Sequence, residues 1–212
     1  LPYSLEALTC TTWLVYATSS DSTAAIRTRN IILDIKKDRL DPETGQSIAT
    51  LVIGRVLERL GDRARSAFVG DPLLVPVPGS GLTKAHTIWP ARRVCQELVR
   101  AGLGDSVADV VTRVVAVPKS AGAEQRSVFE EHYRSLAVAL RFQPPAQLLL
   151  VDDVVTSGTT LMACAQKLRD VYPGVPIAAF AISRTRSEGD PTVVLEPRQE
   201  TIRHRGRRCV RE

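Results

Sequence analysis

Apolar positions in this chain fall into two patterns: short continuous runs, and stretches where apolar residues recur every three or four positions. The runs at residues 73–78, 110–117, 136–140, 147–151 and 175–182 predict strands, the one at 147–151 strongly and the one at 136–140 weakly. Ile48, Leu51, Val52, Val56 and Leu60 mark a helix over 46–60 that Gly61 stops. Ile88, Ala91, Val94, Cys95, Leu98 and Val99 mark a second helix, with Pro90 tolerated in its first turn and Gly102 at its end. A third helix opens at Gly158 and carries Leu161, Ala165 and Leu168 on one face. Residues 17–28 are rich in Ser and Thr and read as a loop, 31–35 as a short apolar stretch, and 41–45 as a turn. Residues 119–126 show no period and read as a mobile loop. Strands that alternate with helices of ten or more residues need crossover connections. The fold class is therefore α/β, with a mainly parallel twisted sheet flanked by helices.

The length of 212 residues fits one domain with a core of useful size, and no internal repeat is visible. With 44% apolar and 24% charged residues the chain is neither fibrous nor disordered as a whole. No apolar run approaches the roughly 20 residues that cross a bilayer, and no secretory signal is expected. Cys10, Cys95, Cys164 and Cys209 are spread singly, without metal-ligand spacing, which favours reduced, packed thiols and a cytoplasmic address. The net charge is +5, and Arg203, Arg205, Arg207, Arg208 and Arg211 crowd the last ten residues. Such a cluster is either a solvated basic tail or a contact for nucleic acid.

The informative segment runs Leu148-Leu149-Leu150-Val151-Asp152-Asp153-Val154-Val155-Thr156-Ser157-Gly158-Thr159-Thr160-Leu161. A buried strand delivers two carboxylates to its end, and a short loop of hydroxyls and glycine then enters a helix. Backbone N–H groups at a helix N-terminus, with hydroxyls beside them, form a cradle for a phosphate monoester. Carboxylates accept hydrogen bonds only, which suits Asp152 and Asp153 to the vicinal hydroxyls of a sugar attached to that phosphate. The segment lacks the Gly-Lys-Ser/Thr ending of a nucleoside-triphosphatase loop and the dinucleotide fingerprint. A second Gly-rich loop, Pro78-Gly79-Ser80-Gly81, follows the strand at 73–78, where open parallel sheets place ligands.

These residues resemble the phosphoribosyl-pyrophosphate motif of type I phosphoribosyltransferases. The resemblance implies that Asp152 and Asp153 hold the ribose hydroxyls and, directly or through them, Mg²⁺. It places Val154, Val155, Thr156, Ser157, Gly158, Thr159 and Thr160 around the 5-phosphate, and Pro78, Gly79 and Ser80 on the pyrophosphate with Lys84 as a nearby cation. Residues 113–126 fall where the family has its catalytic loop, with Arg113 at its start and Lys119, Gln125 and Arg126 as polar candidates. The order of parts is closest to ComF-like competence proteins over residues 30–181. The chain departs from them in lacking a cysteine-rich N-terminal finger, and in having Ala85-His86-Thr87-Ile88-Trp89 where they carry an Arg-Gly-Phe-Asn-Gln-like stretch. A small hood over the site is expected from residues 1–30 and 184–212.

The resemblance implies displacement of pyrophosphate from ribose carbon 1 by a nitrogen acceptor, the phosphoribosyl pyrophosphate or a nucleoside monophosphate being bound with Mg²⁺. Glu124, Glu130 and Glu131 are the nearby carboxylates that could act as a base. The rival reading is a binding module that senses such a ligand and acts on nucleic acid through residues 203–211. A homo-oligomer is compatible with either. Trp13 and Trp89 read as packing residues, His86 lies close enough to the pyrophosphate loop to touch ligand, although a lone His is more often incidental, and His132 and His204 have no partner visible in the sequence.

Overall fold

The computed structural model describes residues 3–17, 22–84, 89–117, 128–140, 143–186 and 194–212. Its elements are β1 (Ala7–Ala17), α1 (Thr23–Lys36), α2 (Ile48–Leu60), α3 (Asp62–Arg65), β2 (Leu73–Pro76), α4 (Pro90–Arg100), β3 (Val111–Arg113), α5 (Phe129–Arg134), β4 (Leu136–Val138), β5 (Leu148–Val155), α6 (Thr159–Val171), β6 (Ile177–Arg186), β7 (Leu195–Arg205) and β8 (Arg208–Arg211). The main sheet has the order β2-β5-β6-β1-β7-β8. Its first four strands run parallel, and β7 and β8 continue it antiparallel.

Parallel strands are covered on both faces, so their residues are apolar throughout and alternate between two cores. On β5, Leu148 and Leu150 join α6, α5, β3 and β4 on one face. Leu149 and Val151 join α1, α2 and α4 on the other. On β6, Ala179 and Ala181 face the first core while Phe180 and Ile182 face the second. The small alanines admit α6 closely, and the second core closes around Trp13 and Phe180, whose ring centroids lie 4.6 Å apart edge to face.

The structure departs from the sequence expectations in the following elements. Residues 7–17 form the strand between β6 and β7, and β7 and β8 extend the same sheet. The stretch 17–28 is not one loop, because Ser22 accepts from the Ala25 amide and starts α1, which also absorbs the apolar residues 31–35. Ala25, Thr28, Ile32 and Ile35 are its buried stripe. The run at 110–117 is a strand only over Val111–Arg113, and it pairs antiparallel with β4 outside the main sheet. The strand at 147–151 is longer than its apolar run, reaching through both aspartates to Val155.

Trp13 is fully buried, and its position in the sheet makes it a core residue. Trp13→Ala is expected to cost about 3–5 kcal/mol in chemical denaturation; a loss near that of a surface substitution would contradict the placement of β1.

Candidate functional site

Three chain segments meet at the carboxyl ends of β2 and β5. The first is the end of β5. Asp152 and Asp153 are both half-buried there. The Asp153 amide donates to Asp152 Oδ1 at 2.9 Å, and Lys36, the last residue of α1, places its Nζ 3.4 Å from Asp153 Oδ2. Burial, and then the neighbouring Asp153 carboxylate, push the Asp152 carboxyl well above the usual carboxylate range.

The second segment links β5 to α6. Thr156 is exposed, Ser157 half-buried, and Gly158 and Thr159 buried. Gly158 takes a left-handed backbone, φ +82°, and a Cβ there would meet the Ile202 side chain at 2.5 Å. Glycine is thus required twice, by conformation and by the close approach of β7. Ser157 Oγ and Thr159 Oγ1 share a hydrogen bond at 2.9 Å. The Thr159 hydroxyl also reaches the Cys209 thiol on β8, and burial pushes that thiol up to about 11. Thr160 Oγ1 lies 3.4 Å from His132 Nδ1 on α5. The 13-residue α6 points the positive end of its dipole at this loop. Val154 and Val155 hold the strand end rather than opening into the loop: Val154 pairs with Ser183 and Val155 with Arg184 of β6.

The third segment follows β2. Pro78 is buried, Gly79 is exposed and Ser80 half-buried, with Lys84 exposed further along. The Val77 amide donates to the Val151 carbonyl at 2.9 Å, and Trp89 Nε1 donates to the Val77 carbonyl at 2.7 Å, so Trp89 anchors the loop. The loop is zipped to β3: the Arg113 amide donates to Thr83 Oγ1, the Thr83 amide to the Arg113 carbonyl, and the Val117 amide to the Ser80 carbonyl.

Arg113 joins the three segments. Its side chain is sealed inside the protein with 2% of its surface exposed. Its Nε donates to the Gly79 carbonyl and its Nη1 to Ser135 Oγ, which itself donates to the His132 carbonyl. Among the described residues Nη2 has no hydrogen-bond partner, and the guanidinium lies within electrostatic reach of Asp152. Arg113 thus grips the Gly-rich loop through Nε and the end of α5 through Nη1. Burial, then the Arg113 charge, press the His132 imidazole down to about 4, leaving it neutral at physiological pH.

Lys119, Glu124, Gln125, Arg126 and His86 lie outside the described residues. Glu130 pairs with Arg134 at 2.7 Å, and Glu131 accepts from the Val128 amide at 3.3 Å. Both carboxylates bond within their own helix. The arginines of residues 203–211 form no loose tail. Arg203 and Arg205 pair with Glu212, and Arg211 pairs with Glu200 at 3.0 Å and donates to the Thr185 carbonyl. Lys36, His132 and Ser135 had no role in the sequence reading. Only α1, unrecognised as a helix, could have pointed to Lys36.

Among the described residues no three His, Cys, Asp or Glu side chains form a metal cage. The Asp152–Asp153 pair nevertheless fits a magnesium ion, because that ion commonly takes one or two carboxylates and completes its shell from phosphates and water.

No family model matches the chain, and no curated protein does. Among solved structures, the chain is similar to a hypoxanthine phosphoribosyltransferase from Staphylococcus aureus at 12% identity and TM-score 0.37, covering 66% of this chain and 75% of that one. It is similar to a glutamic acid mutant from an analysis of an invariant aspartic acid in HPRTs at 16% identity and TM-score 0.29, covering 77% and 74%. It is also similar to a hypoxanthine phosphoribosyltransferase from Trypanosoma cruzi at 14% identity and TM-score 0.31, covering 76% of each. Among the described residues no helix is long and apolar enough to cross a membrane.

A carboxyl whose pKa is raised on folding favours the folded state below the ordinary value near 3.9, and that advantage is lost as pH rises through the folded pKa. At pH 7 Asp152 therefore costs stability. Asp152→Asn is expected to raise the melting temperature of the ligand-free protein at pH 7, by roughly 2–4 °C for each kcal/mol relieved in a chain of this size. The gain should vanish below about pH 4, in the range of the ordinary carboxylate pKa. An unchanged or lowered melting temperature at pH 7 would contradict the strained pair.

Proposed function

We propose that the chain binds phosphoribosyl pyrophosphate and transfers the phosphoribosyl group to a nitrogen acceptor, releasing pyrophosphate. The observation that carries this reading is the convergence of a carboxylate pair, a hydroxyl-rich helix N-terminus and a Gly-rich loop at the ends of two adjacent parallel strands. In this reading the hydroxyls of Thr156, Ser157, Thr159 and Thr160 and the first amides of α6 hold the 5-phosphate. Asp152 and Asp153 accept from the ribose hydroxyls. Gly79 and Ser80 present backbone to the pyrophosphate, beside Arg113, whose Nε grips the Gly79 carbonyl. Lys119 would close the site on the resemblance alone.

In the reaction the bond from carbon 1 to the pyrophosphate oxygen breaks as the bond to nitrogen forms, and the acceptor's proton leaves to a base. Carbon 1 gains positive character, so the site's main task is to hold a departing polyanion in place. Asp152 and Asp153, with ligand oxygens, would hold Mg²⁺, which supplies charge neutralisation when bound. The same ion would relieve the repulsion that raises the Asp152 pKa.

Calorimetry with phosphoribosyl pyrophosphate and Mg²⁺ tests the binding. Replacing both aspartates by Asn should weaken affinity by about 1–3 kcal/mol for each lost charge-assisted contact while the protein stays folded. Unchanged affinity in the double variant would remove the assignment. Pyrophosphate release across a panel of nitrogen bases tests catalysis. A wild type that binds the ligand, releases no pyrophosphate with any base and shifts DNA in a salt-sensitive manner would favour the sensing module instead.

A further inference from the structure

We propose that His132 is a positioning residue for the phosphate loop: its ring Nδ1–H donates to the Thr160 hydroxyl, so that the Thr160 proton is directed at a phosphate oxygen. The inference rests on the reading that residues 156–160 hold a phosphate, and it adds a residue that lies outside the loop.

The argument begins with proton counting. A threonine hydroxyl has one proton to donate, and a phosphate dianion can only accept. If Thr160 gave its proton to His132, its oxygen would face the phosphate lone pair to lone pair. The bond is favourable on both sides only when the imidazole nitrogen facing Thr160 carries the proton. A neutral imidazole has one N–H, and the partner of each nitrogen decides where it sits. His132 is 4% exposed, so bulk water does not compete for this choice.

The backbone that carries the ring is held from behind. Ser135 Oγ donates to the His132 carbonyl at 2.7 Å and accepts from Arg113 Nη1, while Arg113 Nε grips the Gly79 carbonyl. Phe129, on the same short helix, packs edge to face on His204 of β7 with centroids 4.6 Å apart. The backbone of His132 is thus tied to the Gly79 loop through Ser135 and Arg113, and its ring reaches the other loop at Thr160. Its separation of 3.4 Å from Thr160 is longer than the usual 2.7–3.2 Å for such bonds. A bound phosphate that draws the Thr160 proton forward makes the oxygen a better acceptor, and the contact should shorten.

The chain has three histidines, so tautomers can be followed by long-range nitrogen–proton correlation on the ¹⁵N-histidine-labelled protein. Addition of ribose 5-phosphate is expected to drive His132 fully to the Nδ1–H form. A ring that stays or becomes Nε2–H with ligand bound overturns the proposal. Binding of ribose 5-phosphate by variants supplies the second readout. His132→Asn places an amide near the Nδ1 position and should keep the affinity within about threefold of wild type, whereas His132→Phe fills the space without a donor and should lose about tenfold. In a Thr160→Val background His132→Phe should have no further effect. An equal loss in both backgrounds, or no loss in either, overturns the proposal. A wild type that fails to bind ribose 5-phosphate defeats the phosphate reading itself, and the proposal with it.

Discussion

Asp152 carries its carboxyl beside Asp153 at the end of a strand whose preceding four residues are all buried. Two carboxylates at such a place repel each other and are poorly hydrated, which is why the Asp152 pKa rises. Among the described residues Asp153 has an ion pair, with the Lys36 ammonium at 3.4 Å, whereas Asp152 feels that charge and the Arg113 guanidinium only at longer range. The remaining strain is a reason for a cation or a donor-rich ligand to bind there, since whatever neutralises the pair in the folded state stabilises it. Functional sites commonly hold such locally unfavourable arrangements, offset by packing elsewhere.

The sheet supplies that packing, and its two faces play different parts. One face carries α1, which packs on β1 and ends with Lys36 beside Asp153. The other carries α6, whose N-terminus forms the hydroxyl loop, and α5, which brings His132 under it. Arg113 ties the Gly79 loop to the end of α5. The β7–β8 hairpin closes the far side of the loop by seating Ile202 against Gly158 and Cys209 against Thr159. Each contact is ordinary; together they fix the loop from three sides before any ligand arrives, which lowers the ordering cost of binding.

The α/β class was legible because the strongest strands are unbroken apolar runs and the helices between them keep a clean 3.6 period. The end of β5 was legible because Asp-Asp followed by Thr-Ser-Gly-Thr-Thr combines several weak signals in one order. The first strand was not, since Leu8 to Thr12 mixes threonines and cysteine with few large apolar residues, and only its burial between β6 and β7 makes it a core strand. In α1 the Ser/Thr composition masked a Ser22 cap and a buried stripe of widely spaced residues. The arginines of the C-terminal hairpin looked like a tail because their partners, Glu200 and Glu212, become neighbours only when β7 pairs with β8. The same holds for Arg113, His132 and Thr160, which lie far apart in sequence and meet only through the packing of α5 on α6.

The central claim is that the loop between β5 and α6 is a phosphate cradle. The most direct measurement is a titration of the ¹⁵N-labelled protein with ribose 5-phosphate, following backbone amides. Large shifts at residues 157–161, with smaller ones at 79–81 and 152–153, are the result this account requires. Shifts that leave those amides in place and gather on the hairpin arginines of residues 203–211 would contradict it.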